Sequence, residues 1–162
     1  MQEKRKARFP KNSETVIRMF SDREYFLKKY EICGATNIRL LDHELDGDRF
    51  TIEITRDVPA DVPVPAFAKK FMADTMTVVQ RDTWDLDSKT GQLHIDLRGV
   101  PVQISCDMTL EDEGENSILH MDFDCRANVP LIGKKVERLV LDDVIRKIEV
   151  DTEAGIQLLA NY

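Results

Sequence analysis

The spacing of apolar residues changes period twice along this chain, and the changes divide it into three stretches. After a short strand candidate, "KARFP", the segment "NSETVIRMFSD" sets Val16, Ile17 and Phe20 at helical spacing behind Ser13, which is suited to the N-cap. Asp22 can cap a second helix, "REYFLKKYEIC", which carries Tyr25, Phe26, Lys29 and Tyr30 and stops at Gly34. From Gly34 the period becomes two. "ATNIRLLDHEL" leads into an Asp46-Gly47 turn, a strong hairpin signal, and "RFTIEITRDV" returns with Phe50, Ile52, Ile54 and Arg56 on one face.

The alternation then continues through four more strands. "TMTVVQRDTWDLD" places Met76, Val78, Gln80, Asp82, Trp84 and Leu86 together, and "QLHIDLRG" turns Leu93, Ile95 and Leu97 the same way. "VQISCDMTL" adds Val102, Ile104, Cys106, Met108 and Leu110, and the last strand adds Leu119, Met121, Phe123, Cys125 and Ala127. About seven short-turned strands with one apolar face predict an antiparallel meander whose apolar face must be covered.

The cover is predicted from the third stretch. Beyond "NVPLIGKKVE", Ile132, Val136, Leu139, Val140, Val144, Ile148 and Leu159 form a helical stripe. Pro130 suits the first helical position and stops the strand ladder, and packing of Leu131 and Ile132 is expected to hold a junction that lacks a good cap. The expected fold class is α+β: a bent antiparallel sheet around a long C-terminal helix, with two short helices after the first strand.

Composition narrows the function. With 162 residues, the expectation is a single domain, 1–162, able to bury roughly two-thirds of its unfolded surface. A net charge of −7 opposes nucleic-acid binding, which needs a basic face. Lys4, Arg5, Lys6 and Arg8 form one basic run, read either as a transient contact with anionic lipid or as a solvated strand. No apolar run reaches about 18 residues and no signal-like segment follows the basic start, which predicts a cytoplasmic protein. Cys33, Cys106 and Cys125 are odd in number and lack C-x-x-C spacing, as expected of reduced thiols. The oligomeric state is not encoded in any pattern of this kind.

The element order, together with "FSDREYF", "TRDVPADVP", "VVQRDTWDLD", "GVPVQISCDMTL" and "VPLIGKKVE", resembles the START-like, or helix-grip, superfamily, and within it a bacterial family of uncharacterised function. The resemblance covers nearly the whole chain and rests on fold-pattern motifs rather than catalytic signatures. It implies a cavity between sheet and helix that holds a lipid, sterol, quinone or polyketide. A minority of that superfamily catalyses cyclisation or dehydration, and no cyclase residue pattern transfers here position by position.

The candidate site follows from residues that break an apolar face. Arg56, Gln80 and Asp82 point inward, where an unpaired charge costs several kcal/mol. They either fix the polar end of an amphipathic ligand, or Arg56 lies at a strand end in solvent and Asp82 at a bulge. A direct Arg56–Asp82 pair is not expected, since the anticipated register separates them by on the order of 20 Å. Met76, Val78, Trp84, Ile95, Cys106, Met108, Met121, Phe123, Val140 and Val144 complete the candidate ligand-binding set, with ordinary core packing as the competing reading.

"ADVPVPAFAKKFMAD", with Phe67 and Phe71, is a candidate lid or edge cap, and Thr152 and Gly155 are expected to leave room above a ligand. No cofactor or metal is expected: His43, His94 and His120 are scattered, and the His120–Asp122–Asp124 alternation suits an exposed face. No residue is assigned a catalytic role. The sequence thus favours a carrier or sensor of a hydrophobic small molecule. Its competitors are a cyclase or dehydratase using Asp82 as base and an interaction domain with a filled core.

Overall fold

The computed structural model describes residues 1–60 and 74–162. The candidate lid lies almost wholly outside the described residues. Strand β1 (Gln2–Phe9) is followed by helices α1 (Ser13–Phe20) and α2 (Arg23–Ile32). Six further strands come next: β2 (Thr36–Asp46), β3 (Arg49–Pro59), β4 (Thr75–Asp85), β5 (Thr90–Leu97), β6 (Val102–Glu113) and β7 (Asn116–Ala127). Helix α3 (Gly133–Leu159) closes the order.

The seven strands form one antiparallel sheet in the order β1-β7-β6-β5-β4-β3-β2. β1 and β2 are therefore opposite edges, and α1 and α2 carry the chain between them. Local signals explain each element. Asn12, rather than the expected Ser13, caps α1 by accepting from the Thr15 N–H (3.0 Å); Ser13 is the first helical residue, and its N–H donates to Asp112 Oδ1 (2.7 Å). Asp22 caps α2, and Gly34 leaves it with φ +81°. Bulges between Thr36 and Arg39 and between Leu40 and Asp42 bend β2.

The inward face follows the period-two reading, with alternate residues of β4, β5 and β6 buried from Met76 to Leu110. α3 runs for 27 residues, about 40 Å at 1.5 Å per residue. It buries Val136, Val140, Leu141, Val144, Ile145, Leu158 and Leu159, while Leu139 is only half-buried. Together these elements make the expected helix-grip architecture.

The junction into α3 differs from expectation. Pro130 lies in a turn, α3 starts at Gly133, and Ile132 is its N-cap without a side-chain cap bond. Leu131 is fully exposed, at 105%, with φ +68°, so it does not pack the junction. Ile132 does pack against the core. A tie from the helix supplies the rest: Glu137 Oε1 accepts the Ala127 N–H at 3.0 Å. A side chain one turn into the helix thus satisfies the last strand residue, which a reading of neighbours along the sequence does not reveal.

Gly91 is opposite Trp84 in the β4–β5 ladder. A Cβ there would lie 2.7 Å from Trp84 Cδ2 and 2.8 Å from the Thr83 carbonyl oxygen. The backbone oxygen cannot rotate away, so the indole lies over a strand that must carry no side chain at that point. Gly91→Ala is expected to lower stability by about 1–3 kcal/mol, the usual cost of overpacking. A fall in the urea midpoint at unchanged slope would show it, and an unchanged midpoint would refute it.

Candidate functional site

Three strand residues of the same parity meet on the inner face. Arg56, Gln80 and Asp82 are 7%, 6% and 7% exposed, which removes the solvent-exposed reading of Arg56 and the bulge reading of Asp82. Arg56 faces Val78 across the β3–β4 ladder and Asp82 faces Ile52. The register is thus three residues from the one anticipated, because pairing begins at Pro59–Thr75, a point the long connection leaves open in sequence. Arg56 and Asp82 still make no direct pair. Gln80 joins them: its Oε1 accepts from Arg56 Nη2 (2.9 Å), and its Nε2 donates to Asp82 Oδ1 (3.0 Å).

Helix α2 completes the cluster. The Tyr30 ring lies under the Arg56 guanidinium, with Cζ 3.8 Å from the ring centre. Lys29 Nζ lies 4.8 Å from the ring centres of Tyr25, Phe26 and Tyr30. Stacking on aromatic faces offsets part of the cost of burying these cations. Arg56 Nη1 and the Tyr30 hydroxyl, both buried, have no hydrogen-bond partner among the described residues.

The electrostatics follow from burial. Desolvation pushes the Asp82 carboxyl above its ordinary 3.8, against the pull of Lys29, the Gln80 hydrogen bond and Arg56. Desolvation likewise holds Lys29 below 10.5, opposed by the charges of Asp151 and Asp82. Burial also pushes the thiols of Cys106 and Cys125 up to about 12 and about 11, which keeps them protonated and unreactive.

Two cavities flank this cluster. The larger, about 250 Å³, is lined by Arg56, Met76, Val78, Gln80, Ile95 and Val144 of the sequence-derived set, and by Tyr30, Leu97, Ile148 and Asp151 among others. The smaller, about 70 Å³, is lined by Gln80, Asp82, Trp84, Met108 and Met121 of that set, with Lys29, Asp151 and Thr152. Gln80, Ile148 and Asp151 border both. Cys106, Phe123 and Val140 are buried core residues that line neither cavity. The space expected at Gly155 is taken by Tyr25, whose hydroxyl would lie 3.0 Å from a Cβ placed there.

Lys29, Tyr30 and Asp151 were missed as site residues, although a signal for each is present. Tyr25, Phe26, Lys29 and Tyr30 share one face of α2 at i, i+3 and i+4 spacing, so Lys29 is a charge on an apolar stripe. Asp151 follows Val144 and Ile148 at the same spacing on α3. On the outer face, His120 pairs with Glu111 and Asp124 with Arg126. Among the described residues no group of three or more His, Cys, Asp or Glu side chains converges on a point.

Comparison with known proteins places the chain. Residues 4–159 match the model of a family described as "Protein of unknown function (DUF2505)". The chain belongs to the DUF2505 family. No protein of curated function matches this DUF2505 sequence.

Among solved structures, TTHA0849 from Thermus thermophilus is similar at 12% identity and a TM-score of 0.65, over 99% of this chain and 98% of that one. The Zhui aromatase/cyclase from a Streptomyces species is similar at 12% identity and 0.63, over 99% and 93%. Norcoclaurine synthase from Thalictrum flavum is similar at 12% identity and 0.62, over 100% and 87%. The DUF2505 chain therefore has the START-like, helix-grip fold that its sequence motifs resembled. Among the described residues no helix is long and apolar enough to cross a membrane.

A raised carboxyl keeps its proton in the folded chain after the unfolded chain has released it. The stability that Asp82 contributes is thus fully present below 3.8 and is lost as pH rises through its folded value. Asp82→Asn keeps the shape and cannot ionise. Urea midpoints measured from about pH 4 to about pH 7 are expected to favour the variant increasingly as pH rises. A difference that stays constant, or shrinks, would contradict a raised Asp82.

Proposed function

We propose that this DUF2505 protein binds a hydrophobic or amphipathic small molecule, such as a lipid, quinone or polyketide-like compound, between the sheet and α3, as a carrier or sensor. The observation that carries the reading is the larger cavity. Its walls are mostly apolar, and on the β3–β4 side they carry a buried chain of hydrogen bonds with donors left unused among the described residues. A few fixed polar groups in an apolar concavity are what orient an amphipathic ligand. That the same fold houses an aromatase/cyclase and a synthase in its neighbours supports small-molecule chemistry at fold level only. An interaction module with a filled core finds less support, because open volume remains beside Gln80.

One observation favours an enzymatic alternative. Asp82 alone lacked a second acid or base in sequence, and Lys29 now lines the same small cavity. Burial moves both toward neutrality, a familiar route to general acid–base catalysis. Asp82→Asn separates the readings, since a carrier loses modest affinity whereas an acid–base enzyme loses nearly all turnover.

The direct test is native mass spectrometry of freshly purified protein, with solvent extraction of whatever it retains and a titration with 8-anilinonaphthalene-1-sulfonate. A stoichiometric organic ligand, or saturable dye binding, is the expected result. Val144→Phe extends a cavity-lining side chain into the open volume and is expected to lower dye affinity at least about tenfold, for at most about 1–3 kcal/mol of stability. A wild-type protein that carries nothing and binds no dye would overturn the proposal.

A further inference from the structure

Among the described residues no carboxylate hydrogen-bonds or ion-pairs with Arg56, which lines the larger cavity. Its Nη2 is spent on the neutral amide of Gln80, and its flat face lies on the Tyr30 ring. The other terminal nitrogen, Nη1, has no hydrogen-bond partner among the described residues, and neither has the Tyr30 hydroxyl; both residues line this cavity and are more than nine-tenths buried. Of the other charges, Asp143 accepts from Arg146 and from Lys147 (2.8 Å), and the field of Asp151 acts on Lys29 and Cys33 and also reaches Tyr30. Asp82 is held behind Gln80, whose amide separates it from the guanidinium.

We propose that the ligand of this cavity carries a carboxylate, received by Arg56 Nη1 and the Tyr30 hydroxyl. The inference rests on the small-molecule reading above and specifies its head group.

The chemistry selects the group. A guanidinium offers only donors, and the hydroxyl of Tyr30 is a second donor, so the complement is a group rich in acceptors. A neutral carbonyl or alcohol would accept a bond but leave the buried charge uncompensated, whereas a carboxylate supplies both bond and charge. The apolar remainder of the ligand then lies along Met76, Val78, Ile95, Leu97, Val144 and Ile148.

The test is calorimetric titration of the wild-type protein with decanoate, methyl decanoate and 1-decanol, which share one tail. Decanoate is expected to bind at least about tenfold more tightly than either neutral probe, the effect of one hydrogen bond to a charged group. In Arg56→Gln that preference should vanish. Tyr30→Phe keeps the ring under the guanidinium and should weaken decanoate several-fold more than it weakens the ester, so the inference stays testable if Arg56→Gln does not fold. Equal binding of all three probes would overturn the carboxylate and leave the small-molecule reading standing. Binding of none would overturn both.

Discussion

A sheet that is apolar on one face has to bury that face, and in this chain a bent sheet does so around a single long helix. A straight rod laid against a curved surface touches it well in some places and poorly in others. Where contact is close, Leu141 and Leu159 are fully buried, and α3 packs against β7 and α2. Where it is not, a cavity remains between β3–β4 and the middle of α3. The space is a consequence of the geometry that makes the fold, since filling it would need larger side chains at positions such as Val78 and Val144.

Along that space and the smaller cavity beside it the fold sets a row of polar side chains. Burying Arg56, Gln80 and Asp82 costs free energy that an apolar triplet would not. Gln80 is central because its amide both accepts and donates, so it joins a cation to a carboxyl without bringing them into contact. Helix α2 contributes the second half of the arrangement. Its aromatic face covers the guanidinium and encloses Lys29, which puts two cations and a carboxyl in one water-poor region. Low dielectric amplifies every such interaction, favourable or not. A network left with unused donors in that setting is typical of a site that is completed by something else.

Much of the fold was legible because periodicity is a local property. Alternation from Phe50 to Ala127 determined which side chains face inward, since a strand turns its neighbours to opposite sides whatever surrounds it. The inward assignment of Arg56, Gln80 and Asp82 followed from that rule. Asp22 and Gly34 marked the ends of α2 for similarly local reasons, namely side-chain capping and a positive φ. The junction at Leu131 was not legible in this way, because it depends on Glu137 reaching back to Ala127.

What the sequence by itself determined, then, is the element order, the inward face and the helix-grip architecture, each resting on spacing, turn chemistry or motif pattern. What only the tertiary structure decided is proximity. The register of β3 against β4 placed Gln80 beside Arg56, and alternation within either strand is the same in any register that keeps parity. The packing of α2 and α3 brought Tyr30 and Asp151 to the larger cavity, and Lys29 and Asp151 to the smaller, from positions far apart in the chain. Spacing along a chain fixes the direction of a side chain, but its neighbours across the core depend on long-range packing that sums over many weak contacts at once.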